Sequence, residues 1–395
     1  MVNGKGNSAS RLFNSLRTGF SPQFRLFVTI WYKIAIVFFF FSFSACERQN
    51  NAIESYEKFK IGVDSLLING HKIDRNTSSV FSGSNISKNY ISYLAPDGII
   101  IYSLVGNRYI EHKVIPIKQY DNVLSYYILS LDSIYVLNSG NEINLLNGEG
   151  KLIKTTSVNK WILSGMECPL IGDSHHLYMY YFPMNRLNTL AKTLAYFKRH
   201  LELVIDKADF GKIDDSIGIC PEKYLTKYYY DNVPWRAEIS DFKMAYSFAG
   251  QNELIVYNFK TRTYSTPSMQ SKSFRENNEF DFSKTTNQDY QYVTKYLVEN
   301  DRYGSIIYDK YRNKVYRVCT HGVTFEKKDS TVNTIKDKEW SLIVSNPDFK
   351  IEKELVFPGG LYDLNHIYVT NQGVLVKKQN IGYNDKVWVY DVFKF

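Results

Sequence analysis

Cysteine is scarce in this 395-residue chain, with four in all, at positions 46, 168, 220 and 319. The three after Cys46 are odd in number and show no paired C-x-x-C spacing, so neither a disulfide framework nor a zinc knuckle is indicated. At most one bridge can form among them. Cys168-Pro169 and Cys220-Pro221 are the two similar sites, and buried, unbridged thiols are the plainer expectation. Local catalytic signatures are missing as well. There is no G-x-S-x-G elbow, H-E-x-x-H zinc helix, G-x-x-x-x-G-K-[ST] phosphate loop or G-x-G-x-x-G dinucleotide turn, and no cofactor is indicated. A large basic excess is also lacking: the net charge of +8 owes five basic residues and no acidic ones to positions 1–45, leaving 43 basic against 40 acidic. So small a balance gives no electrostatic footprint for nucleic acid, and that class is rejected.

Residues 1–45 explain the basic excess. Lys5, Arg11, Arg17 and Arg25 precede an apolar run from Leu26 to Phe43, interrupted by Thr29, Lys33 and Ser42. Basic leader, apolar run and small residues, in that order, form an export signal. The closing Phe43-Ser44-Ala45-Cys46 resembles the lipobox of a bacterial lipoprotein, with Cys46 as the lipidated first mature residue. Phe43 stands where Leu is commoner, and the leader is long, as in the relaxed lipoprotein signals of Bacteroidota or where a start codon is assigned too early. The other reading is an uncleaved anchor, since roughly 18 apolar residues just span a bilayer. Either way the remaining chain is exported and held at a membrane. The expected layout is a signal peptide at 1–45, a tether and lead-in at 46–59, and a single domain at 60–395.

That domain is rich in strand chemistry. Thirty-two Tyr and 25 Phe stand beside many Ile and Val, side chains that fit a pleated, half-buried surface. Six short apolar runs carry a Tyr: Gly98-Ile99-Ile100-Ile101-Tyr102, Ser133-Ile134-Tyr135-Val136, Leu177-Tyr178-Met179-Tyr180, Leu254-Ile255-Val256-Tyr257, Ser305-Ile306-Ile307-Tyr308 and Ile367-Tyr368-Val369. Turn signals such as Asn138-Ser139-Gly140-Asn141 and Asn147-Gly148-Glu149-Gly150 separate strands that follow one another as meanders. A meander recurring every 35 to 75 residues or so is what a propeller requires, because neighbouring four-stranded blades bury each other's faces.

The predicted fold is therefore all-β: a six-bladed β-propeller of four-stranded antiparallel blades. The blades are placed at about 60–118, 119–158, 159–233, 234–289, 290–334 and 335–395, with room for an insertion or a seventh blade between the third and fourth runs. Closure is expected by pairing of the terminal strands, Val387–Phe393 with Ile61–Ile68, leaving no open edge. Leu187, Leu190, Leu194, Phe197, Leu201 and Val204 follow helical spacing, so 187–206 is read as a helix or a long hairpin of the third blade. Residues 261–290 read as a mobile loop.

Several phrases carry a resemblance. Tyr308-Asp309-Lys310-Tyr311-Arg312-Asn313-Lys314-Val315-Tyr316-Arg317, with Gly218-Ile219-Cys220-Pro221-Glu222-Lys223-Tyr224 before it, resembles an uncharacterised family of Bacteroidota lipoproteins with a TolB-like six-bladed propeller. Ala245-Tyr246-Ser247-Phe248 before Leu254-Ile255-Val256-Tyr257, and Ser341-Leu342-Ile343-Val344 before Asp348-Phe349-Lys350-Ile351, are similar too. Cys220 departs from the Tyr or other large residue expected there. The resemblance covers most of the mature chain and implies a fold and an address, with no catalytic residues to carry over.

Candidate binding residues are few. Tyr311 and Arg312 would present an aromatic face and a fork of donors to a polar ligand, or form an ordinary turn between strands ending at Asp309 and starting at Val315. Trp235 and Arg236, beside Tyr228-Tyr229-Tyr230, would stack on sugar rings or be buried between strands. His175-His176 point to opposite faces of a strand and do not easily clasp one ion. Asp209, Asp214 and Asp215 lack the oxygen ladder of a calcium loop. Asp64-Ser65-Leu66, Asp132-Ser133-Ile134, Asp215-Ser216-Ile217 and Asp329-Ser330-Thr331 resemble short O-glycan acceptor sites of exported Bacteroidota proteins.

The leading expectation is a lipid-anchored propeller at the cell envelope, on the outer membrane and facing either the periplasm or the surface. It would bind a protein or glycan partner without catalysis. The alternatives are an enzyme acting on polysaccharide, with acids and bases from different blades converging in the central channel, and an assembly component of an envelope complex. Cys46→Ser is expected to abolish lipid attachment and leave precursor or soluble protein. Acyl labelling reads this directly, and unchanged labelling of the variant would refute lipidation at Cys46.

Overall fold

A computed structural model describes residues 56–61, 67–68, 71–72, 78–81, 90–95, 98–105, 108–120, 122–158, 169–180, 189–286, 289–327, 329–379 and 388–395. Cys46, the signal segment and Cys168 lie outside them. Tyr56–Phe395 forms one compact unit.

Strand β1 (Tyr56–Ile61) is followed by a short hairpin, β2 (Leu67–Ile68) and β3 (His71–Lys72). The first blade is β4 (Ser78–Phe81), β5 (Tyr90–Ala95), β6 (Gly98–Val105) and β7 (Arg108–Pro116). The second is β8 (Val123–Ser130), β9 (Ser133–Asn138), β10 (Glu142–Leu146) and β11 (Leu152–Ser157). The third is β12 (Ile171–Gly172), β13 (His176–Tyr180), β14 (Glu202–Asp206) and β15 (Ile213–Ile217). The fourth is β16 (Trp235–Glu238), β17 (Lys243–Ser247), β18 (Ile255–Asn258) and β19 (Thr263–Ser265). The fifth is β20 (Arg302–Asp309), β21 (Lys314–Thr320), β22 (Trp340–Ser345) and β23 (Ile351–Phe357). The sixth joins β24 (Tyr362–Thr370), β25 (Gly373–Lys378) and β26 (Trp388–Phe393) to β1. The protein is a six-bladed propeller of four-stranded antiparallel blades, as the recurring meander predicts.

Closure uses the two ends of the domain. β1 pairs antiparallel with β26 from Tyr56 opposite Phe393 to Ile61 opposite Trp388. The partner of the last strand is therefore Tyr56–Ile61, which shares only Ile61 with the predicted 61–68, whereas Leu67 and Ile68 pair in the hairpin with β3. Blade boundaries shift for the same kind of reason. Trp340–Ser345 and Ile351–Phe357, predicted to open the sixth blade, pair with β21 and complete the fifth. The sixth can give up two strands because β1 supplies one and β24 starts only at Tyr362.

Side-chain alternation explains the uninterrupted apolar runs. Successive residues of a strand point to opposite faces, and in a propeller both faces are covered by neighbouring blades. Ile99 and Ile101 pack toward the second blade with Ile134 and Val136, while Ile100 packs toward the sixth with Leu375 and Val392. Each remaining interface has its own apolar cluster, such as Leu137 with Leu177, Tyr180 with Tyr246, Val256 with Ile343 and Val344 with Val374. The fourth strands form the exposed rim, and β11 has no buried residue along its length.

A side-chain oxygen ends the third strand in four blades. Asn147 Oδ1 accepts from the amides of Glu149 and Lys151, and Asp206 from Ala208 and Asp209. Asn258 does the same for Lys260 and Thr261, and Asn346 for Asp348 and Lys350. This local capture is why Asn and Asp favour such turns. Each turn then passes through a left-handed residue: Gly150, Gly211, Arg262 or Phe349.

The segment read as helix or hairpin is both in succession. Leu190–Phe197 forms helix α1, capped by Thr189, whose hydroxyl accepts from the Lys192 amide, and Glu202–Asp206 is β14. The range 261–290 holds β19 and helix α2 (Phe282–Thr286), and at Tyr290 helix α3 (Tyr290–Glu299) begins. Its cap is Asp289, which accepts from the Tyr292 amide. Among the described residues no helix is long and apolar enough to cross a membrane.

Val392 is fully buried between the first and sixth blades, whereas Val356, on the outer strand β23, is 52% exposed. Val392→Asp is expected to cost about 4 kcal/mol or more through an unpaired buried carboxylate, and Val356→Asp within about 0.5 kcal/mol. Urea unfolding followed by circular dichroism distinguishes them. Equal losses would contradict a closed ring.

Candidate binding face

Strand direction separates the two faces of the propeller. The connections from first to second and from third to fourth strand leave one face, and the remaining connections leave the other. The first set is mostly tight, as at 131–132, 147–151, 259–262, 310–313 and 371–372. The long described insertions leave the opposite face: α1 between β13 and β14, residues 218–234 between β15 and β16, residues 266–301 with α2 and α3, and residues 321–339 between β21 and β22.

These insertions pack on one another. The Tyr224 ring, fully buried, meets Phe197 of α1, Tyr229 and Phe248, and its hydroxyl accepts from the Gly250 amide at 3.0 Å. Tyr228, Phe280 and Tyr296 form a separate aromatic cluster. Phe280 meets Tyr228 at 5.9 Å and Tyr296 at 4.9 Å, both edge to face. Its amide donates to the Tyr228 carbonyl at 3.0 Å, which ties two insertions from different blades together.

Beneath α3 lies a charged layer. Lys338, 2% exposed, donates to the carbonyls of Leu297 and Asn300 at 2.9 and 2.6 Å. It thereby satisfies the C-terminal end of α3, where a cation also meets the negative end of the helix dipole. Burial, then the Arg302 guanidinium, pushes the Lys338 ammonium down to about 7. Arg302 pairs with Asp231. Asp301 accepts from the Arg275 guanidinium at 2.7 Å and from the Gly322 amide at 2.6 Å. Burial alone would raise its carboxyl, but bonds from His321, Arg275 and the amides hold it well below the usual range.

Beside the aromatic cluster lies an open depression of about 670 Å³, within the ligand-sized range of roughly 300–1,000 Å³. Tyr228, Phe280, Phe282 and Leu190 provide its apolar walls, Glu279 and Asp281 its carboxylates, and Thr189 and Ser283 neutral hydroxyls. Sequence reading missed Glu279, Phe280 and Asp281 because 261–290 is polar and aperiodic. The one available signal is Phe280-Asp281-Phe282-Ser283, a helix start with Asp281 as an acceptor for the Ser283 amide and hydroxyl.

The four candidate binding residues do not come together. Arg236 is buried on β16, its Nε 2.7 Å from Glu202, and Nη2 donates to the carbonyls of Pro169 and Tyr178 at 2.7 and 3.1 Å. The other oxygen of Glu202 accepts from Tyr246 at 2.6 Å. Trp235 packs on the core between the fourth and fifth blades. Tyr311 and Arg312 lie in the tight 310–313 turn on the opposite face, their amides donating to Asp309. Arg312 pairs with Asp309 at 2.9 Å and donates twice to the Thr370 carbonyl of the sixth blade. Tyr311 is 41% exposed.

His176 stands on β13 between Asp173 and Asp214, 3.6 Å from each, and His175 lies in the preceding turn. Among the described residues no cluster of three or more His, Cys, Asp or Glu has metal-binding geometry. Cys220 and Cys319 are buried and unbridged. Burial pushes both thiols up, that of Cys319 to about 12.

Between about 7 and the ordinary lysine value of 10.5, the unfolded chain holds a proton at Lys338 that the folded protein has released. Stability therefore rises with pH across that window, and the burial cost is fully present below it. Lys338→Met is expected to flatten that rise. Urea unfolding of both proteins at several pH values checks it, and parallel curves would refute the assignment.

No curated protein matches the chain. The family model described as Domain of unknown function (DUF4221) matches residues 235–355, from the start of β16 into β23. BamB from Moraxella catarrhalis is 12% identical with a TM-score of 0.37, covering 81% of this chain and 84% of that one. Hsv2 from Kluyveromyces lactis is 8% identical with a TM-score of 0.42, covering 77% and 70%; at such scores neither carries an argument. The crystal structure of a DUF4221 family member from Bacteroides vulgatus is 20% identical with a TM-score of 0.66, covering 87% of this chain and 97% of that one. The chain thus has the fold of that structure, and its fourth and fifth blades match the DUF4221 model.

Proposed function

We propose that this protein is a lipid-anchored binding scaffold of the Bacteroidota cell envelope, carried on the outer membrane through Cys46. Its insertion-bearing face engages a protein or glycan partner without catalysis. The observation that carries the reading is the gathering of α1, α3 and residues 218–234 and 321–339 on one face of a closed ring. Binding groups belong on loops positioned by a rigid scaffold. The lipobox at Cys46 and the likeness to a Bacteroides structure support the address.

A polysaccharide-acting enzyme is the second reading. It is favoured by Asp363 on β24, 3.1 Å from His366 and 3.3 Å from Lys377.

The test compares site-specific cross-linking in native membranes from Tyr290→Cys, on α3 at 73% exposure, and from Thr261→Cys, in an exposed tight turn. A partner captured from position 290 and not from 261 is expected. Capture only from 261, or turnover of envelope glycans by the purified protein, would overturn the reading.

A further inference from the structure

We infer that the depression between α1 and α2 receives the side chain of a lysine or arginine from a protein partner. The inference rests on the proposed binding role of this face and narrows the partner to one presenting a basic segment.

Charge complementarity is the first ground. Glu279 and Asp281 both line the depression, both are exposed, and none of the described residues lining it is cationic. The nearest lysine on the same segment, Lys284, is turned to Asp289 at 3.6 Å and to the Tyr292 ring. Asp281 uses Oδ1 for the Ser283 amide and hydroxyl, which keep its carboxyl below its ordinary value. A carboxylate accepts at both oxygens.

The walls are the second ground. An alkyl stem bearing a charged head packs its methylenes on apolar surface, and Leu190, 38% exposed, with Phe282 offers such a surface beside the carboxylates. A neutral sugar fits less well, because stacking needs an open ring face. Phe280 is 1% exposed and Tyr228 7%, their rings being engaged with each other and with Tyr296 and Phe282.

The test uses saturation-transfer NMR on the full-length protein with three blocked tripeptides: acetyl-Gly-Arg-Gly-amide, its lysine counterpart and its citrulline counterpart, which keeps the shape of arginine without the charge. The arginine and lysine peptides are expected to bind and the citrulline peptide not to. Added salt should weaken binding. Glu279→Gln with Asp281→Asn should weaken it roughly tenfold. The Asp281→Asn change keeps a side-chain acceptor for Ser283, and circular dichroism confirms that the double variant is folded. Asp132→Asn, in a tight turn on the opposite face, should leave binding unchanged.

Equal binding of the citrulline peptide, indifference to the double variant, or no binding of either basic peptide would each overturn the inference. If the basic peptides fail while cross-linking from position 290 still captures a partner or glycan, only this inference falls. If both fail, the proposed role of the face falls with it.

Discussion

The pairing of β1 with β26 is the interaction on which the six interfaces depend. Each blade buries both of its faces, so an open ring would leave apolar faces on the first and sixth blades in water. Ile91, Tyr93 and Ile100 on one side, and Tyr390 and Val392 on the other, are buried together in one cluster. Their contact is held by backbone pairing between segments from opposite ends of the domain. The closing strand supplies no long apolar run of its own. What it supplies is the row of amides and carbonyls that leaves β26 without an open edge.

Polar ties cross each interface as well. Ser92 meets the Tyr126 hydroxyl at 2.9 Å, and Ser125 accepts from the Leu170 amide at 2.8 Å. Arg236 reaches Glu202, Arg317 donates to Ser247 and to carbonyls of the fourth blade, Arg312 donates to Thr370, and Tyr93 meets Tyr390. Arg317 lies 3.6 Å from the centre of the Tyr303 ring. Such buried charges are costly unless their bonds are made, and the partners here are carbonyls and side chains whose positions require the neighbouring blade to be correctly seated.

Strand alternation also explains why the insertions collect on one side. Lengthening the tight turns would disturb the side-chain capture made by Asn147, Asp206, Asn258 and Asn346, whereas among the described connections of the opposite face the same capture is made by Asn138, in the short link between β9 and β10. Helices and charged pairs accumulate there without altering the blades. Lys338 shows the layering: a residue between β21 and β22 satisfies the end of a helix inserted between two blades.

Much of this was legible in the chain. Six Tyr-bearing apolar runs, separated by Asn, Asp and Gly turns, determine six meanders, because period-two burial and local turn chemistry act over a few residues. The tight turn at 310–313 follows from Asp309 and Asn313 in the same way. What the sequence could not decide depends on contacts between distant residues. Apolar runs do not state their partners, so β22 and β23 read equally well as part of the sixth blade until their register with β21 places them in the fifth. Arg236 and Arg312 look like ligand groups in isolation, and only packing reveals the Glu202 carboxylate and the Thr370 carbonyl that take their donors. The depression is the extreme case: Leu190, Tyr228 and Phe280 come from three separate connections, and only the closed ring, by sending those connections to one face, makes them neighbours.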